Sequence, residues 1–560
     1  MTNLQPTKQQ QDVIDAFHTQ KDVTISAGAG CGKSTTLALL ARSVPANRKG
    51  LLIAFNRAVA DDAAKKLAGT STTALNTHRI AYAWARNDPQ GSVVLDKMHS
   101  SRRTNRAQIA NGFNVREFSF RKGGHAVRFD KSKVTDFAMR TLSKFLQDAS
   151  PEVSAEHVPY IPGLEDPTVR GRDEGHRELA TVVVPLAQKM WEDICSHRGT
   201  RMSVSHDAYL KLWAASKPTL PYDFILLDEA QDTNPAVMSV FESQRAQRVA
   251  VGDANQQLFA WNGSQNAMSK FESDLKVKLT QSWRFGTAIQ DAANVFLDML
   301  DADIRLQGNP RVPSKIIPNA PFDPTLTSSV LTRTNAGAIQ ELITALSANQ
   351  SAHLIGGSKS FVSLIEAAEA LKAGRATSHA DLAGFSNWAE VEAYVGENTP
   401  ESMDLGVIVR LVKEHGTARL LTALNSCTSN EEDAQTVIST VHKVKGREWD
   451  QVRISDDFIR KAKKKEGESP YTDEALMLYY VAVTRAKTLL DPGSLEPMLS
   501  RVVTAGASVQ VAEPEPLVLP IEDRLSVSLS ADVKEKLRAR FTNRDEAEAF
   551  LEQLLQGALQ

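Results

Sequence analysis

Ala27-Gly28-Ala29-Gly30-Cys31-Gly32-Lys33-Ser34-Thr35 follows a short apolar run, Val23 to Ser26, and opens a stretch of helical spacing from Lys33 to Arg42. Strand, glycine-rich turn and helix in that order make a phosphate-binding loop. The glycines let backbone N–H groups close around a β-phosphate at the helix amino terminus. Lys33 reaches the β- and γ-phosphates, and the Ser34 hydroxyl is placed to hold magnesium. The first position is Ala where the general pattern has Gly.

The complementary half of such a site is Phe224-Ile225-Leu226-Leu227-Asp228-Glu229-Ala230-Gln231-Asp232, an apolar strand that delivers acids to its carboxyl end. Adjacent carboxylates there divide the labour of hydrolysis, Asp228 binding magnesium and Glu229 activating the attacking water. Hydrolysis requires both halves, so each makes the other more specific.

Around these anchors short β-type runs alternate with helical spacing, the pattern of a parallel sheet covered on both faces. Strands are expected at Val23 to Ser26, Leu51 to Phe55 and Thr72 to Asn76. Helices are expected at Lys33 to Arg42, Ala58 to Leu67 and His78 to Arg86. The strand pattern returns at Phe224 to Asp228 and Arg248 to Val251, so a first core occupies 1–90 and 206–285, split by an insertion at 91–205. A second α/β pattern at Val330-Leu331, Val437-Ile438 and Val452 to Ile454 defines a core at 286–358 and 431–505, split by a helical insertion at 359–430. Residues 506–560 read as a proline-marked linker (Pro514, Pro516, Pro520), then a strand from Leu525 and two short amphipathic helices. That last unit is either a ribbon–helix–helix module or, the preferred reading, a hairpin used for docking.

With 560 residues, 42% of them hydrophobic and 24% charged, the chain reads as globular and large enough for several domains. The polar start and the lack of a long apolar run predict neither export nor membrane insertion. Cys31, Cys195 and Cys427 make no metal-ligand pair or disulfide framework, which argues against zinc chemistry and suits a reducing cytoplasm. The net charge of −2 conceals a segment, Lys97 to Lys133, of net charge +8. Arg102, Arg103, Arg106, Arg116, Arg121, Lys122, Arg128 and Lys131 lie in it with Phe113, Phe118, Phe120 and Phe129 interleaved. The pattern fits a phosphate-binding surface with aromatic anchors or stacking partners, against the plainer reading of a solvated basic face.

Asp228-Glu-Ala-Gln-Asp232 followed by Val251-Gly-Asp-Ala-Asn-Gln256 resembles the UvrD/Rep class of superfamily 1 DNA helicases. Further matches stand in family order: Thr77-His78; Leu279-Thr-Gln-Ser-Trp283-Arg284-Phe285; Val330-Leu-Thr-Arg333-Thr-Asn335; Thr440-Val-His442-Lys-Val-Lys445-Gly446-Arg-Glu448-Trp449; and Tyr480-Val-Ala-Val-Thr484-Arg485-Ala486. Leu279 to Phe285, Gly356-Gly357 and Ser455-Asp-Asp-Phe458 make the F-box DNA helicase type the nearest branch. No F-box fits before Lys33, so the likeness is to the motor.

The resemblance implies two RecA-like P-loop NTPase cores, each with an inserted, mostly helical subdomain. It implies that Gln10 reads the adenine edge, with Gln9 and Gln11 as alternative registers, and that Trp283 stacks on the base. Gln256, Arg284 and Arg485 would face the γ-phosphate, with Gly446 and Glu448 beside the ribose. Two arginines brought from a second domain supply positive charge only when the cleft is closed. Phe55, Asn56, His78, Phe259, Trp261 and His442 would contact single-stranded DNA, with Arg102, Arg103 and Arg106 on the basic insertion. Two departures stand out: Asn262 and Gly263 follow Trp261 where relatives have an arginine, and Thr35-Thr36 stand where many relatives pack an arginine on adenine.

The resulting expectation is a cytoplasmic, monomeric motor of a bacterium or a virus in a bacterial host. It would use ATP and Mg2+ to move 3′ to 5′ on single-stranded or partly duplex DNA, with partners among DNA-repair or recombination proteins. The alternative is an ATP-switched DNA-binding or scaffold module, against which Glu229, Arg284 and Arg485 argue.

Overall fold

A computed structural model describes residues 5–503 apart from 101–103, 123–124, 160–173, 259–267, 269–270, short stretches between 376 and 402, and 460–470. All of these lie in one compact unit, Met1–Ser508; the unit Val509–Gln560, with the proposed strand and helical pair, lies outside the described residues.

The first sheet takes β1 (Val23–Ala27), β2 (Gly50–Ala54) and β3 (Thr72–Asn76) from before the insertion. The insertion carries an antiparallel hairpin of β4 (Phe118–Lys122) and β5 (His125–Phe129). After it the sheet gains β6 (Phe224–Leu227), β7 (Gln247–Gly252) and β8 (Leu275–Leu279), in the order β3-β2-β6-β7-β1-β8. The second sheet is built from β9 (Lys315–Ile316), β10 (Ser328–Thr332), β11 (Ala352–Leu354), β12 (Thr436–Thr440), β13 (Trp449–Ile454) and β14 (Ala486–Asp491), in the order β11-β12-β10-β13-β14-β9. Every pairing in both six-stranded sheets is parallel, with registers such as Ile25 to Val251 and Leu331 to Ile454. The expected α/β class with two interrupted cores is therefore the observed one.

The two-residue period of a strand sorts the core into layers. Leu52, Ala54, Phe224 and Leu226 join Leu331, Val437 and Val452 in one cluster shared by the two sheets. Their neighbours Leu51, Ile53, Ile225 and Leu227 face the opposite way, against the first insertion. On the second sheet Val330 and Ile438 turn outward to the second insertion. An all-apolar strand such as Phe224–Leu227 is what burial on both faces demands.

Local signals set the helix starts. The carboxamide oxygens of Asn56 and Asn76 accept from the N–H groups of Val59 and Arg79, and Asp130 caps helix Lys131–Gln147 in the same way. Such caps contribute about 1 kcal/mol each. Gly32, at φ 75°, has the left-handed conformation that turns the phosphate loop into helix Lys33–Ser43.

The basic segment is less uniform than its sequence. Lys97 lies inside, donating to the carbonyls of Asp193, Ile194 and Ser196 at the end of helix Glu174–Cys195, and so is no phosphate ligand. Arg106 is paired with Asp136 at 2.8 Å. Phe118 is buried and stacked on Phe129, which meets Phe137 edge-on, so these rings are anchors of the subdomain. Arg116, Arg128 and Lys131 are exposed, whereas Arg102 and Arg103 lie outside the described residues.

Candidate nucleotide and nucleic-acid site

The phosphate loop joins β1 to helix Lys33–Ser43 and is held from several sides. Gly28 N–H donates to Leu279 O at 3.1 Å and Trp283 N–H to Gly30 O at 2.9 Å. A side chain at Gly30 would meet Ser282 Oγ at 2.6 Å and Arg284 Cβ at 2.7 Å, so this glycine is required by close approach as well as by its positive φ. Burial pushes the Cys31 thiol up to about 12, which makes it a packing atom. Ser34 and Thr35 remain exposed on the first helical turn.

Asp228 and Glu229 leave β6 directly opposite. Lys33 Nζ lies 2.7 Å from Glu229 Oε1. Glu229 adopts a left-handed backbone, φ 51°, an uncommon conformation for a residue with a side chain. Its own N–H donates to Asp228 Oδ1 at 2.9 Å, and Gln231 Nε2 donates to Glu229 Oε2 at 2.5 Å. Burial and the neighbouring Glu229 raise the Asp228 carboxyl to about 6, whereas at Glu229 burial is opposed by Lys33, Lys445 and the hydrogen bonds from Lys33 and Gln231, which together hold it at about 2. Asp228 and Ser34 line one small cleft with Asp62 and Lys66.

A magnesium ion fits this donor set. Among the described residues no group of three or more His, Cys, Asp or Glu side chains forms a metal cage. Mg2+ is commonly held by one or two protein oxygens together with substrate phosphates, and Asp228 with the Ser34 hydroxyl beside it supplies that much.

The three candidate glutamines, Gln9, Gln10 and Gln11, divide cleanly. Gln9 bonds Thr280 and Gln281, and Gln11 bonds Asp15. Gln10 is buried and donates to Thr36 Oγ1 at 3.3 Å, with its amide nitrogen 3.8 Å from where a Gly32 side chain would begin. Trp283 Cδ1 reaches within 3.5 Å of the same point, and the indole is 50% exposed, which leaves a ring face for a flat ligand. Gln10, Gly32 and Trp283 therefore converge.

The second core reaches into this cleft. Arg485 is fully buried and donates from Nη2 to Gln256 Oε1 at 3.3 Å, and from Nε and Nη1 to the carbonyls of Val481 and Arg447. Burial, then the nearby Arg284, lower its pKa to about 9. Arg284 follows β8 of the first core, so only Arg485 comes from the second, contrary to the expectation of two such arginines. Arg284 donates to Glu448 Oε2 at 2.5 Å and to Thr484 O at 2.9 Å, so Glu448 here is an ion-pair partner. Gly446, at φ 83°, is exposed nearby in sequence. Lys445 forms an ion pair with the buried Asp232 and donates to Gln256 O at 2.9 Å.

Sequence reading assigned no role to Gln231, Asp253, Lys445 or Tyr480. Gln231 bridges Glu229 and the Asp253 N–H. Asp253 accepts from Gln256 Nε2 at 2.7 Å and from Tyr480 OH at 2.9 Å. Burial inside otherwise motif-like strings was the available signal, but partner identity was not.

The carboxyl ends of the neighbouring strands β2 and β3 carry the nucleic-acid candidates. Phe55 is 50% exposed beside Asn56, whose oxygen is spent as a helix cap. His78 lies beside His206 and Tyr209, its pKa lowered chiefly by burial. His442 stands apart, after β12 of the second core, and burial followed by Arg333 lowers its pKa. Phe259 and Trp261 fall outside the described residues.

A glycine-rich phosphate loop, an acid pair at the end of another strand of the same sheet and a second parallel core inserting an arginine define a two-core P-loop fold. Two family models match this chain, one described as an AAA domain over residues 9–261 and one as a UvrD-like helicase C-terminal domain over residues 382–491. The chain is 26% identical to F-box DNA helicase protein 1 of Schizosaccharomyces pombe, over 86% of this chain and 57% of that protein. It is 26% identical to F-box DNA helicase 1 of Gallus gallus, over 89% of this chain and 50% of that protein. The chain thus spans about half the length of these relatives. These matches support the resemblance to a UvrD-like helicase motor that the motifs indicated. Both relatives are eukaryotic, which lends the expected bacterial or viral source no support. No helix among the described residues is long and apolar enough to cross a membrane.

Proposed function

We propose that the chain is an ATP-dependent DNA helicase or translocase that moves 3′ to 5′ on single-stranded DNA. It couples hydrolysis to duplex separation or protein displacement in repair, recombination or replication. One observation carries the reading: Arg485, from the second core, is buried against Gln256 of the first, beside the acids that would act on a nucleotide. A cation that reaches the reacting phosphate only from the opposite core makes core closure part of turnover.

In this reading Gln10 and Trp283 hold the adenine, Lys33 binds the β- and γ-phosphates, and Ser34 with Asp228 holds magnesium. Magnesium supplies charge neutralisation at the phosphates. Lys33 must leave Glu229 for phosphate, which frees the carboxylate to take a proton from the attacking water. Arg284 and Arg485 then face the developing charge. Phe55, His78 and His442 contact the single strand, and Phe259 and Trp261, which follow Gln256 closely in sequence, are assigned to the same role.

The test is ATP turnover with and without single-stranded DNA, followed by strand separation on duplexes bearing a 3′ or a 5′ tail. Strong DNA stimulation and separation from the 3′-tailed substrate are expected. Turnover indifferent to DNA would refute the reading, and preference for the 5′ tail would refute its polarity.

A further inference from the structure

Most of the hydrogen bonds that shape the phosphate loop come from its own core, but the N–H of Ala29 donates across the cleft to the Tyr480 hydroxyl at 3.1 Å. The same hydroxyl donates to Asp253 Oδ2 at 2.9 Å. A phenol has one proton to give, and Tyr480 gives it to a carboxylate while accepting from the loop. The side chain is fully buried, and burial together with Asp253 holds its pKa well above the usual 10. It therefore stays a donor.

The chain of contacts closes into a ring. Asp253 Oδ2 also accepts from Gln256 Nε2 at 2.7 Å, and Gln256 Oε1 accepts from Arg485 Nη2 at 3.3 Å. Tyr480 lies on helix Asp473–Val483, and Arg485 follows just beyond its end. One structural unit of the second core thus grips both ends of the Asp253–Gln256 pair and touches the phosphate loop. We infer that Tyr480 is a positioning residue for turnover, its hydroxyl fixing Asp253, and through Gln256 the aim of Arg485, whenever the second core is docked on the phosphate loop.

The assignment rests on the motor reading above and adds the element that links loop and arginine. A shared, buried hydrogen bond of this kind makes loop geometry and core docking one equilibrium. Without the hydroxyl, Asp253 loses a donor and the Ala29 N–H its acceptor in a buried place, and the Asp253–Gln256 pair loses its tie to the helix of the second core, while the side chains of Gln10, Trp283 and Lys33 are untouched.

The experiment is Tyr480→Phe in the full chain, which keeps the ring, compared with wild type for kcat and KM on saturating single-stranded DNA and for melting temperature. We expect kcat to fall about tenfold, with KM for ATP within about twofold and melting within about 2 °C. Unchanged kcat overturns the proposal. So does a parallel change in kcat, KM and melting, since that is what loss of packing alone produces. If Tyr480→Phe fails to fold, Asp253→Asn, which removes the charge that receives the phenol proton, must show the same kcat-selective loss or the proposal is wrong. A wild-type chain with no ATP turnover would instead refute the motor reading itself.

Discussion

Arg485 and Gln256, 3.3 Å apart through Nη2 and Oε1, join the two cores. Gln256 also accepts a bond on its backbone carbonyl from Lys445, whose ammonium is paired with the buried Asp232. The cleft is thus a junction of side chains that belong to neither core alone. Its chemistry depends on how the cores meet.

Glu229→Gln should bind ATP yet lose turnover by about 100-fold or more, the usual contribution of a general base. Nucleotide-binding fluorescence and steady-state hydrolysis on one preparation check this. Near wild-type hydrolysis would remove Glu229 from the role.

Trp283→Ala removes a half-exposed ring beside Gly32. KM for ATP should rise about tenfold with kcat little changed, because stacking holds substrate and transition state alike. Melting should not move, as little packing is lost. A fall in kcat at unchanged KM would contradict adenine stacking.

Phe55→Ala should weaken single-stranded DNA binding about tenfold, a stacking contribution of roughly 1–3 kcal/mol per base. Fluorescence anisotropy in the absence of nucleotide reads it directly. Unaltered affinity would place the track elsewhere.

Replacing the exposed Arg116, Arg128 and Lys131 with Gln should flatten the salt dependence of DNA binding, each lost contact to a single strand reducing the log–log slope by about 0.7. Lys97→Met should leave that slope alone and lower the melting temperature, since Lys97 caps carbonyls in the interior. The opposite pattern would restore Lys97 to a DNA-binding surface.

Glu341, in the second core, is raised to about 7, first by burial, against the lowering pull of Arg453, and further by Asp456, Asp457 and Asp491. The folded chain holds a proton there that the unfolded chain releases from about 4.5 upward. Its stabilising contribution is therefore fully present below pH 4.5 and is lost as pH rises through 7. Glu341→Gln should be more stable than wild type at pH 8 by roughly 1–3 kcal/mol, with the difference shrinking towards pH 5. Urea unfolding at several pH values measures it; a pH-independent difference would contradict the linkage.

The sequence by itself determined the phosphate loop, the acid-bearing strand and the two interrupted α/β cores. These depend on local rules: glycine's access to positive φ at Gly32, apolar strands buried on both faces, and helix starts capped by Asn56 and Asn76. Tertiary structure alone decided which of Gln9, Gln10 and Gln11 turns to the loop, because neighbouring helix positions face different directions. It also withdrew Lys97 from the basic surface and buried Phe118, since charge and aromaticity on a string of residues do not say which side of a subdomain they occupy. The ring of Tyr480, Asp253, Gln256 and Arg485 belongs to the same category. Its two bonds between the cores join residues more than 200 positions apart, and only the docking of one core against the other brings their atoms within reach.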